Sequence, residues 1–156
     1  MDALNIMIRR NSPDSPYVLA LPIPEDTPIP FFDVSDTGIY VKAIVLRRDH
    51  LLGKRINASP KYLTPKNVID EFKKLFPEPG ETASYMTLPN DVFLKAMTDA
   101  GRTEIGALEM LENILLWNEG GYFGGEPLDE SLRILQDKPT SVEEFLKKSP
   151  AFQDLK

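Results

Sequence analysis

Three short strings among the 156 residues hold side chains at spacings that could do chemistry. Tyr62-Leu-Thr-Pro-Lys66 has the Tyr-x-x-x-Lys spacing that would put a phenol proton donor and a pKa-lowering lysine on one helical face, the pairing that carbonyl reduction uses. Pro65 contradicts that use. A helix passing through Tyr62 would clash with the proline ring, so Tyr62 is expected at a strand end and Lys66 in the first turn of the next helix, pointing elsewhere. Gly120-Gly-Tyr-Phe-Gly-Gly125 is the candidate phosphate cradle. A dinucleotide cradle needs a strand before it and a helix N-terminus after it, so that amides face the pyrophosphate. Here a helix precedes, which favours a helix C-cap followed by a flexible aromatic loop over a loop that closes on a ligand. Asp33 and Asp36 are near enough to form an acid/base pair or hold a metal. They also sit where a strand gives way to a helix, where carboxylates cap free amides, and capping is the expected role.

Counting residues removes several chemistries. His50 is the single histidine and there is no cysteine, so His-based metal clusters, thiolate nucleophiles, disulfides and Cys-based zinc sites are excluded. No G-x-S-x-G elbow supports a serine hydrolase. His50, beside Asp49, reads as a solvated residue, and Trp117 as core. No catalytic, cofactor-binding or metal residue emerges. The net charge of -6 and pI near 4.9 argue against direct nucleic-acid binding, which rests on clustered cations. The basic pairs Arg9-Arg10, Arg47-Arg48 and Lys54-Arg55 are separated by acidic segments and read as solvated faces. The opening MDALNIMIRR is no signal peptide, and no run approaches the ~20 apolar residues of a membrane helix. A soluble, cytoplasmic chain is expected.

The elements that must position these residues follow from local signals. Hydrophobic residues make up 42% of the chain, enough for a single core over residues 1–156. Six of its 14 prolines, Pro13 to Pro30, forbid a long helix early on. Residues 1–16 are expected to be poorly ordered, followed by strands at Tyr17–Ile23 and Ile29–Val34. Their prolines suggest edge rather than central positions. Ser35 or Asp36 is expected to cap a helix to about Asp49, with Ile39, Ala43 and Leu46 inward. A strand is expected over Lys54–Tyr62, then a helix from Thr64-Pro65 with Val68, Ile69, Phe72 and Leu75 or Phe76 as its stripe. Ala83–Leu88 reads as a strand, Asn90 as the cap of a short helix ending at Gly101, and Glu104–Asn118 as the longest helix, with Leu108, Leu111 and Leu115 on one face and Ile114 and Trp117 flanking. Ser141 and Glu144 form a capping box for the last helix.

With these segments placed, Tyr17-Val-Leu-Ala-Leu-Pro-Ile and Pro30-Phe-Phe-Asp-Val-Ser-Asp-Thr-Gly38-Ile-Tyr-Val-Lys-Ala resemble the C-terminal half of the NmrA-like family, atypical members of the short-chain dehydrogenase/reductase superfamily. Leu51-Leu-Gly-Lys-Arg-Ile56, Tyr62-Leu-Thr-Pro65, the helix around Glu109-Met-Leu-Glu112 with its Gly-Tyr-Phe-Gly loop, and Pro139-Thr-Ser-Val-Glu-Glu-Phe-Leu146 are similar to the same family in the same order. The resemblance implies an α/β fold, mixed α+β as an isolated piece: the C-terminal portion of a Rossmann-type NAD(P)-binding fold with its smaller substrate lobe. In relatives it implies NAD or NADP, and either reduction of small molecules, as in isoflavone-reductase-like enzymes, or nitrogen-metabolite repression through protein partners such as a GATA-type transcription factor, with a nuclear location. The family's G-x-x-G-x-x-G strand-turn-helix and lysine-bearing catalytic segment have no counterpart here. A truncated chain without its own nucleotide site is therefore expected, inactive alone and partnered by the missing N-terminal half. The alternative is a protein-binding module that pairs with a full-length relative or a transcription factor. Asp33, Asp36 and Gly38 carry over as a structural crossover into a helix. Phe31, Tyr122 and Phe123 are candidate substrate-pocket residues from loop position and aromatic character.

Overall fold

The computed structural model describes residues 8–155. The poorly ordered lead-in expected for residues 1–16 falls, over residues 1–7, outside the described residues; the chain enters as β1 (Ile8–Arg9). β1 pairs antiparallel with β2 (Val18–Leu21). β2 in turn pairs in parallel with β5 (Ser84–Thr87), in the register Leu19 to Tyr85 and Leu21 to Thr87. β2 is thus the central strand of a three-stranded sheet and not an edge. Pro16 and Pro22 flank the four ladder residues, so no ladder donor is lost. Leu19 and Leu21 are buried, and Tyr85 sends its hydroxyl to the carbonyl of Ile23 at 2.5 Å.

A parallel pair needs a long crossover, and here it runs from the end of β2 at Leu21 to the start of β5 at Ser84. It begins with β3 (Ile29–Phe31) and a 3-10 turn at Val34–Asp36, and continues through α1 (Thr37–Leu46) and α2 (Arg48–Leu51). The single helix expected to Asp49 is broken at Arg47. β4 (Lys61–Leu63) then pairs antiparallel with β3. The strand expected from Lys54 is shorter than drawn, because residues 54–60 find no ladder partner. α3 (Pro65–Leu75) starts where Thr64-Pro65 placed it: Thr64 Oγ1 accepts the Asn67 amide while Asn67 Oδ1 accepts the Thr64 amide, both at 3.1 Å. α4 (Pro77–Gly80) folds back onto α3. A Cβ on Gly80 would lie 2.7 Å from the Lys73 backbone, so this close approach requires glycine.

After β5, α5 (Asn90–Asp99) packs on α6 (Glu104–Glu119). Pro89 and not Asn90 occupies the cap position of α5, and Gly101, at φ +88°, makes the turn between the two helices. Of the stripe expected on α6, Leu111 is buried and Leu115 packs partly buried on the main core, while Leu108 is 46% exposed; Ala107 and the flanking Ile114 complete the buried set. α7 (Asp129–Arg133) and α8 (Val142–Lys148) follow. Ser141 and Glu144 form the expected capping box, and Val142, Phe145 and Leu146 are buried. The main core gathers β2, α3, α6, α8 and the closing turn around Phe152. A satellite core of Ala43, Leu51 and Ile134 sits under α1 and α2. No helix among the described residues is long and apolar enough to cross a membrane.

Candidate functional groove and the glycine loop

Strand alternation divides the candidate residues between the two faces of the β3–β4 ladder. Phe31, Lys61 and Leu63 line a groove of about 250 Å³, completed by Pro60, Leu132 and the segment Lys138–Val142. Buried Ser59 fixes its floor: the hydroxyl lies 2.8 Å from the Phe31 carbonyl and 3.1 Å from that of Lys61, bridging both strands.

Asp36 fixes its far wall. Its carboxylate does not cap α1. It accepts the Thr140 amide at 2.7 Å and the Thr140 hydroxyl at 2.8 Å, across 104 residues of sequence. Asp33, by contrast, caps as expected, accepting the amide and hydroxyl of Ser35 at 2.9 and 2.8 Å. Gly38 lies early in α1 with open space where a Cβ would go, and nothing in the structure explains the glycine. The Asp36 charge, after burial itself, helps push the Tyr40 phenol up to about 12. Asp36→Ala is expected to lower stability by about 2–3 kcal/mol, since two hydrogen bonds to a buried carboxylate are lost and the Thr140 donors are left without it. Thermal melts would check the loss, and faster hydrogen exchange at the Thr140 amide would locate it.

Tyr62 points to the opposite face of β4. Its hydroxyl donates to the Glu126 carbonyl at 2.9 Å. Burial, with the Glu126 charge second, holds its pKa above the usual phenol range. A proton donor for carbonyl reduction needs the reverse shift. Lys66 lies beyond the Thr64 cap, with its backbone amide donating to the Glu25 carbonyl.

Glu126 ends the glycine loop and pins it. Its carboxylate takes Asn57 Nδ2 at 2.8 Å and Arg55 Nη2 at 2.5 Å, and these partners, Asn57 first, hold it below the usual carboxylate range. Within the loop Tyr122 and Phe123 stack edge to face, 5.0 Å apart, and Tyr122 is 53% exposed. Neither lines the groove that holds Phe31. Arg55, Asn57 and Glu126 escaped sequence reasoning, since an exposed Arg and Glu 71 residues apart carry no local signal.

The loop does not fit a pyrophosphate. It follows the carbonyl end of α6, whose dipole repels an anion, the next helix, α7, has only five residues and opens with Asp129 and Glu130, and the nearby cations Arg55 and Lys54 are already paired with Glu126 and Glu130. Among the described residues no group of three or more His, Asp or Glu side chains could hold a metal. His50 is exposed on α2.

The NmrA-like family matches residues 3–146. The chain belongs to the NmrA-like family. No curated protein matches it. Among solved structures, this NmrA-like chain is similar to NmrA, a negative transcriptional regulator crystallised in complex with NADP, with a TM-score of 0.68 at 18% identity. The match covers 92% of this chain and 46% of that one, so the NmrA-like chain spans about half the length of the structure it resembles. The fold is mixed α/β with a Rossmann-like neighbour, as the family resemblance implied.

Proposed function

We propose that these residues form the substrate-side half of an NmrA-like NAD(P)-binding protein of the short-chain dehydrogenase/reductase type, acting together with a nucleotide-binding half carried on other residues. The observation that carries this reading is the outer face of α1. Val41, Val45 and Leu46 are 53%, 55% and 60% exposed, beside Val34 at 58%, above a satellite core too small to need them. Contiguous exposed apolar residues of this kind mark a contact surface. The absence of a G-x-x-G-x-x-G segment from the 156 residues agrees with it, as do the carbonyl-end placement of the glycine loop and the match to about half of NmrA.

On this reading, reduction of a small molecule or dinucleotide sensing in transcriptional control belongs to the assembled protein, in cytoplasm or nucleus. Asp33 and Asp36 hold the crossover into α1, and the candidate substrate aromatics fall in two places, Phe31 in the groove and Tyr122 and Phe123 on the glycine loop. A thermal melt of the chain with and without NADP tests the division. A ligand that binds only the folded state raises the midpoint by mass action. An unchanged midpoint at millimolar NADP is expected, and a rise would place a nucleotide site within these residues and overturn the proposal.

A further inference from the structure

The groove over the β3–β4 ladder has a composition that the reading above does not use. Its walls are Phe31, Leu63, Leu132 and Val142, and the charged side chains lining it are two lysines, Lys61 and Lys138, with no carboxylate among them. That is a local reversal of sign on a chain of net charge -6. The other polar groups of the wall are engaged: Thr140 with Asp36, and Ser141 with Glu144. Lys138 stands 3.6 Å from Glu144, both groups well exposed, so solvent screens the pair. Among the described residues no ion pair involves Lys61.

We propose that this groove binds a small carboxylate amphiphile, its apolar body on Phe31, Leu63, Leu132 and Val142 and its carboxylate at the rim formed by Lys61 and Lys138. Size fits the class: a groove of about 250 Å³ has room for one short apolar chain. Charge narrows it, because the lysines attract an anion and the lining offers nothing to a cation. The site is built wholly from these residues, so it stands or falls independently of the nucleotide-binding half.

Amide NMR titrations with octanoate, octanol and octylammonium, equal in length and different in charge, test it. Octanoate is expected to shift the amides of Phe31, Leu63 and Val142 and to bind about fivefold more tightly than octanol, a gain that shrinks as salt rises. Octylammonium is expected to bind more weakly than either. Lys61→Glu with Lys138→Glu, both at exposed positions, should keep the fold and reverse the order. Octanol matching octanoate, a double variant that still prefers octanoate, or shifts confined to other amides would each overturn the proposal.

Discussion

Phe72→Ala is expected to destabilise the chain by about 3–5 kcal/mol, the range for removing a fully buried aromatic ring. Phe72 has no exposed surface, and its ring touches three others: Tyr17 at 5.2 Å, Phe76 at 5.1 Å and Phe152 at 5.4 Å between centroids. Those rings come from the start of β2, the end of α3 and the turn after α8, so one side chain joins three distant parts of the sequence. Two of the three meetings are tilted and one is edge-on, so interaction between ring edges and faces adds to area burial. A loss of this size is a large part of the roughly 5–15 kcal/mol that holds a typical domain together. Urea unfolding would read it as a lower midpoint with an unchanged slope. Leu116→Ala is the control: at 48% exposure on α6 it should stay within about 0.5 kcal/mol of the parent. Equal effects of the two substitutions would mean that the aromatic cluster is not the centre of the core.

The parts of this architecture that local chemistry dictates were legible in the sequence. Thr64-Pro65 and Ser141-Glu144 place the starts of α3 and α8 because a cap is built from residues three apart. Pairing across long distance was not legible. β2 reads as an edge strand from its prolines, yet it lies between β1 and β5 because both prolines fall just outside the ladder. Residues 54–60 hold a single strong strand former, Ile56, among Lys54, Asn57, Ala58 and Pro60, and they have no neighbour to bond with, so the ladder starts only at Lys61. On α6 apolar residues run around most of the helix, leaving several possible inward stripes. Small Ala107, completely buried, joins Leu111 and Ile114 as the inward set, and no sequence pattern announces that choice.

The candidate site divides in the same way. Aromatic character pointed to Phe31, Tyr122 and Phe123 together, but only Phe31 reaches the groove, because alternation along β4 sends Lys61 and Leu63 to one face and Tyr62, with the glycine loop, to the other. The two aspartates of Asp33-Val-Ser-Asp36 look alike in sequence and do different work. Asp33 bonds two residues ahead, and Asp36 bonds Thr140 across the groove wall.

Val41→Glu with Val45→Glu on α1 is expected to weaken association with a nucleotide-binding NmrA-like half by 100-fold or more while leaving the melt of the chain alone within about 1 kcal/mol. The two residues are four apart, on one helical face, and each is more than half exposed. Neither therefore holds the folded chain together, and glutamate is the better helix former of the two residue types. Buried in a contact, two unpaired carboxylates would cost several kcal/mol, and about 2.8 kcal/mol already corresponds to a hundredfold change in Kd. The same substitutions should reduce concentration-dependent self-association of the chain alone, measured by sedimentation, because exposed valines and Leu46 can pair with other copies when their intended neighbour is absent. Mixing chain and nucleotide-binding half by titration calorimetry separates the outcomes. Tight binding that the double variant loses places the contact on α1. Tight binding that the variant keeps places it elsewhere, and would leave β-branched residues on the outside of a helix, where they neither favour the helix nor bury surface, without a physical reason to be there.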